Sequence, residues 1–166
     1  HRIPDRESVY IYEEGNSLEL GLYIDPHILT RLEYHPSPSF VDDLCCVTEG
    51  VSHLLYLMDR ADRDTSCSCL ELELQGEVDK FLILHLLASE EKQRAPCFQQ
   101  QFETWSLDPK LSHDENERYA SAHYFAPKYC HELRHRYFFP LKPFPLLQEI
   151  RGFFHKQLHE KIDHIL

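Results

Sequence analysis

The hydrophobic pattern of this chain changes period once, from an alternation of two to the longer spacing of helices. Residues 8–13 (SVYIYE) and 18–24 (LELGLYI) are rich in aromatic and β-branched side chains. They flank Glu14-Gly15-Asn16-Ser17, a turn sequence, so together they predict a β-hairpin over 8–24. In the second strand Leu18, Leu20, Leu22 and Ile24 share one face, which needs a cover because a two-stranded hairpin is marginal alone. Asp25-Pro26 then reads as an N-cap followed by a proline at the first helical position, opening a short helix to about residue 33.

Four longer helices follow. Pro36 and Pro38 mark a loop, and Ser39 with Asp42 resembles a capping box that starts a helix over 39–62. Ser68 with Glu71 starts a second, to about residue 91 before Pro96. A polar and aromatic connector over 98–111 carries Trp105, the sole tryptophan. Ser112 with Glu115 caps a third helix, 112–137, with a kink expected at Pro127. After Pro140, Pro143 and Pro145 the pattern predicts a last helix over 146–164. The segment over 45–58 is apolar nearly all round, which marks its helix as the central one. No internal repeat and no second core are visible. The expectation is therefore a single domain, 1–166, of mostly α (α+β) class: an N-terminal hairpin (8–24) packed on a bundle of about four helices within a helical part, 39–164.

Composition narrows the function classes. At 166 residues, 42% hydrophobic and only five glycines, the chain folds with a substantial core. A net charge of −11 argues against nucleic acid and anionic membranes as partners, because phosphate contacts need a basic surface. The charge is uneven: residues 1–127 hold 24 acidic and 10 basic side chains, and residues 128–166 hold 4 and 7, with five histidines besides. No apolar run reaches the roughly 20 residues of a membrane span, and no signal peptide is visible. Six cysteines would allow three disulfides, but Cys45 and Cys46 are adjacent in a helical segment, Cys130 lies on an apolar stripe and Cys67-Ser-Cys69 lacks metal spacing. Reduced thiols in a cytoplasmic protein are the simpler reading.

The candidate chemistry comes from polar residues placed by helical spacing on apolar faces. In the second long helix the stripe is Leu70, Leu74, Val78, Phe81 and Ala88; Glu77 and His85 fall inside it and Glu73 on its border. In the third, the stripe is Ala122, Ala126, Tyr129, Leu133 and Tyr137, with Arg118 at its edge. A glutamate is rarely buried alone, so a Glu77–Arg118 ion pair is expected. In the first, Glu49 and His53 are four apart and share a face, and Gly50 between them would let another backbone approach closely. Those two either bond each other or a neighbouring helix, or join Glu73 or Glu77 around a metal, as carboxylate and imidazole donors do in helical bundles. The usual di-iron spacing is Glu-x-x-His, one residue shorter than Glu49 to His53.

His131-Glu132-Leu133-Arg134-His135 spells the His-Glu-x-x-His zinc-protease pattern. Both histidines point away from the stripe of Leu133, towards solvent, and Glu149 and Glu160 are poorly spaced as a further ligand. The match reads as incidental. Arg151, His155 and His159 form one i, i+4 row, which reads as a solvated face. The aromatic residues over 124–144 read as core and helix-flank packing. Five scattered glycines build no phosphate loop.

Three stretches, EGVSHLLYL (49–57), LELELQGEVDKF (70–81) and ERYASAHYFAPKYC (117–130), resemble a family of uncharacterised bacterial proteins, with a likeness spanning roughly residues 8–137. The resemblance implies no activity. It does imply that Glu49, His53, Glu77 and Arg118 lie in the segments most worth testing.

The reading that follows is a non-catalytic interaction or regulatory domain of a bacterial cytoplasmic protein. It has a protein partner, no membrane or nucleic-acid partner and no cofactor, with self-association left open. Its buried polar cluster is Glu49, His53, Glu73, Glu77 and Arg118. The alternative is a metal-dependent enzyme holding iron, manganese or zinc on Glu49, His53 and Glu77, with Glu73 as a further ligand.

Overall fold

The computed structural model describes residues 6–15, 17–34, 40–87, 98–99, 101–103 and 111–166. Among them the chain is α+β and mostly helical, with six helices and one two-stranded antiparallel hairpin. It divides into two compact units, His1–Ser66 and Cys67–Leu166. The loop of Pro36 and Pro38, the Ser39 cap, the end of the second long helix and Trp105 lie outside the described residues.

The first unit holds β1 (Glu7–Glu14), β2 (Ser17–Ile24), α1 (Pro26–Tyr34) and α2 (Phe40–Asp62). Gly15 adopts a positive φ of 60°, the conformation that a tight hairpin turn asks of glycine. Pairing runs in register from Glu7↔Ile24 to Glu14↔Ser17. Directly opposed residues share a face, so Glu7, Val9, Ile11 and Glu13 lie with Leu18, Leu20, Leu22 and Ile24, and the tyrosines 10, 12 and 23 lie on the other side. The leucine face takes α2 as its cover. The approach is tight at Gly50, where an added Cβ would meet Leu22 Cδ1 and Glu7 Oε2, each at 2.9 Å. The neighbours that need this glycine are thus hairpin side chains rather than a second backbone.

Asp25 caps α1 through His27 N–H donating to its Oδ1 at 2.8 Å, with Pro26 leading the helix as expected. α2 departs from its expected role. Val51, Leu55 and Met58 are exposed, whereas Asp43, Ser52 and Arg60 are buried with Cys46, Gly50 and Tyr56. The reason is charge pairing: Asp43, 0% exposed, accepts from Arg31 Nε and Nη2 at 2.6 and 2.7 Å and from Arg6 Nη2 at 2.8 Å. Arg60 lies over the Tyr56 ring, 4.5 Å from its centroid, and bonds its hydroxyl.

The second unit holds α3 (Cys69–Leu87), α4 (His113–Tyr137), α5 (Pro143–Phe154) and α6 (Leu158–Ile165). Both expected capping boxes form: Ser68 with Glu71 opens α3, and Ser112 with Glu115 opens α4. α4 runs on through Pro127. The expected last helix is two. It starts at Pro143, because prolines in a first turn forfeit only amide donors that have no helical partner anyway. It breaks after Phe154 and restarts at Leu158, where Gln157 N–H donates to Glu160 Oε2 at 2.8 Å. Leu74, Val78, Phe81, Ala126, Tyr129, Leu133, Phe138, Leu146 and Phe153 form one core, with Phe98 and Phe102 packed on it. No helix among the described residues is long and apolar enough to cross a membrane.

Candidate functional site

The five expected site residues divide between the units: Glu49 and His53 stand on α2, Glu73 and Glu77 on α3, and Arg118 on α4. On α3 the two acids are buried in the reverse of the expected order, the border residue being the deeper. Glu73 is buried and Glu77 half-buried. The pairing differs from expectation. Arg118 Nε donates to Glu73 Oε1 at 3.2 Å, one turn earlier than Glu77. Glu77 instead accepts from Lys80 Nζ at 2.7 Å and from Gln101 Nε2 at 3.0 Å, and Gln101 also bonds the Glu77 carbonyl at 2.8 Å. An (i, i+3) lysine on the same helix reaches Glu77 within one turn, which leaves Arg118 for the border position. Burial works against the Arg118 charge, yet Tyr119 and Glu73 outweigh it and hold its pKa above the ordinary arginine value.

Sequence reasoning missed one polar link. Lys161 on α6 is 0% exposed, donates to Gln75 Oε1 at 2.6 Å and lies 4.8 Å from the Phe153 ring centroid. Gln75, also buried, donates onward to Asp79 Oδ1 at 3.0 Å. The signal was in the sequence: Leu158, Lys161, Ile162 and Ile165 have the spacing of one helical face, so the lysine sits on an apolar stripe. His85 lies inside the core as its phase implied, its Nδ1 3.0 Å from the Phe81 carbonyl and its ring against Phe81 and Phe138. Cys130 is fully buried, and burial first, then Glu77 and Asp79, push its thiol well above the ordinary cysteine value. Burial and the Glu149 carboxylate likewise push Tyr129 far up, so it remains a neutral donor, at 3.1 Å from Glu149 Oε1. These groups anchor helices rather than present reactive atoms.

Arg151, His155 and His159 are exposed, as the solvated-face reading has it; the first two border a shallow cleft of about 190 Å³ together with Gln75 and Asp79. Of the aromatic run, Tyr129 and Phe138 are core, while Tyr124 and Phe144 are exposed.

In the first unit Glu49 and His53 are half-buried, one turn apart on α2. The feature there that sequence reasoning did not anticipate is a groove of about 430 Å³ lined by Leu18, Leu20, Leu54, Met58, Ala61 and Asp62. Face pairing explains it. The leucine face of the hairpin closes on α2 near Gly50, and further toward the turn the same face and the later turns of α2 leave apolar side chains open. Leu18 and Met58 are 40% and 47% exposed, and Leu55 and Ile11 are exposed as well. Glu13, directly across the ladder from Leu18, and Asp62 give the groove acidic margins. Residues 1–66 carry thirteen acidic and five basic side chains.

No protein-family model, curated protein sequence or solved structure matches this chain.

Proposed function

We propose that this chain is a non-catalytic protein-interaction domain whose α2–hairpin groove receives an apolar segment of a partner protein, flanked by lysine or arginine. The observation that carries the reading is the open groove itself, with Leu18 and Met58 exposed at its walls and acidic residues at its margins. Exposed apolar clusters with polar rims are the ordinary form of binding surfaces. Charge complementarity selects the basic flanks and speeds the encounter. Tyr10 and Tyr12 are exposed on the opposite face of the hairpin and stand outside this groove. A bacterial cytoplasmic setting suits a chain with free buried thiols at Cys46 and Cys130.

The alternative of a carboxylate–histidine metalloenzyme would draw on Glu49, His53 and Glu77 for iron, manganese or zinc. Within the second unit Glu77 is already engaged by Lys80 and Gln101, which weighs against it as a ligand.

The test uses two labelled synthetic amphipathic helices of equal length, one leucine–lysine and one leucine–glutamate, read by fluorescence anisotropy. The basic peptide binds the wild-type chain and the acidic one does not, and Met58→Asp or Leu18→Asp abolishes binding with helicity unchanged. Binding that survives both substitutions would remove the groove from the account.

A further inference from the structure

The His-Glu-x-x-His sequence fails as a protease motif, yet its two histidines carry a geometry of their own. His131 and His135 are one turn apart on α4, both exposed, with their Nε2 atoms 3.1 Å apart. That separation allows two states. A neutral pair shares one proton in an Nε2–H···Nε2 hydrogen bond, or both lone pairs turn to a single cation. For metal–nitrogen bonds of about 2.05 Å, a 3.1 Å separation subtends about 98° at the metal, between the square value of about 90° and the tetrahedral value of about 109°. Little rearrangement separates the hydrogen-bonded pair from a chelate.

The surroundings define what kind of site this is. Glu132, the residue that would act as base in a protease, forms a salt bridge with Arg136 along the helix. Arg134 leans over the Phe139 ring, 5.5 Å from its centroid. Among the described residues no third histidine, cysteine or carboxylate joins the two imidazoles to form a three-donor set. Phe98 stands edge-on to His131, with ring centroids 6.4 Å apart, which limits the orientations that ring adopts. We infer that His131 and His135 form a two-donor surface site for a divalent transition ion of imidazole preference, such as Ni²⁺ or Zn²⁺, its remaining coordination positions open to water or to a donor from another molecule. The site is an exchangeable one, because two imidazoles from one helix neither enclose the ion nor neutralise its charge. The inference does not depend on the α2–hairpin groove.

The experiment titrates the tag-free full chain with Ni²⁺ alone, which avoids the redox chemistry of copper with free thiols, by isothermal titration calorimetry. The wild-type chain shows one site. His131→Ala and His135→Ala each remove it, and the double variant loses nothing further, as a chelate requires. Both positions are exposed, so circular dichroism will show an intact fold. His27→Ala and His53→Ala leave the site unchanged. Retention of the site in either α4 variant would overturn the inference, and so would its loss in His53→Ala.

Discussion

In the N-terminal unit the buried apolar side chains among the described residues are Ile28, Cys46 and Tyr56, and beside them stand Asp43, Ser52 and Arg60. In the C-terminal unit the order is reversed. Phe81, Tyr129, Phe138 and Phe153 with Leu74, Val78 and Leu133 make a contiguous core, into which Lys161 and Gln75 are set as one hydrogen-bonded pair. Where apolar volume is short, orientation comes from a carboxylate that three guanidinium contacts fix to two different segments. Where it is plentiful, aromatic packing does the same. The first unit, which hides one aspartate, a serine and an arginine, leaves Leu18, Leu55, Met58, Tyr10 and Tyr12 outside.

The sharpest way to break this contrast is to remove one anchor from each unit. Phe81→Ala should cost about 3–5 kcal/mol, because a fully buried ring leaves a cavity that its neighbours only partly fill. Asp43→Ala should cost less, about 2 kcal/mol: the arginines it strands are about half exposed and return to water, so the penalty of an uncompensated buried charge is only partly incurred. Urea denaturation of each variant measures both. Costs in the opposite order would show that the first unit is held chiefly by its ion pairs and the second by something other than its core.

A pH titration sharpens the comparison without mutation. The Cys130 thiol is held well above the ordinary cysteine value of 9.0, so in the folded chain it stays protonated where the unfolded chain loses its proton. The unfolded state then binds fewer protons, and stability falls as pH rises beyond that value, by about 1.4 kcal/mol per pH unit for a single group. Below it this contribution is fully present. The slope should diminish in Cys130→Ala, measured against wild type between pH 8 and about 10.5; an unchanged slope would mean that Cys130 contributes nothing to it. The smallest effect is expected on the outer face of the hairpin. Tyr10→Ser with Tyr12→Ser should change stability by less than about 0.5 kcal/mol and leave binding of the basic peptide intact, since both side chains lie on the face opposite the groove.

How far the sequence reached depended on whether the signal was local. Capping residues and strand alternation are local, so the hairpin, the Asp25–Pro26 start and the boxes at Ser68 and Ser112 were legible to within a residue. Helical phase told only in part which α3 side chains turn inward: His85 does, but the border residue Glu73 is buried and Glu77, expected inside the stripe, is half-buried. Phase cannot tell which partner a half-buried acid takes, because Lys80 and Arg118 both lay in plausible reach of Glu77; the choice fell to the nearer, same-helix lysine. The apolar count of α2 misled about its burial, since Arg6 and Arg31 are distant in sequence and nothing near Asp43 announced them. The groove was hidden for the same reason: it exists only once hairpin register and the Gly50 contact fix where the leucine face runs out.

The claim on which the account turns is that a partner's apolar side chains enter beside Met58. Met58 is the only methionine in the chain, so ¹³C-methyl-methionine labelling gives a single resonance from inside the groove. Titration with the leucine–lysine peptide should move that resonance to a saturating limit, with the midpoint of the anisotropy curve, and should leave it still in the presence of the leucine–glutamate peptide. A methyl signal that stays in place while the basic peptide binds elsewhere would contradict the account.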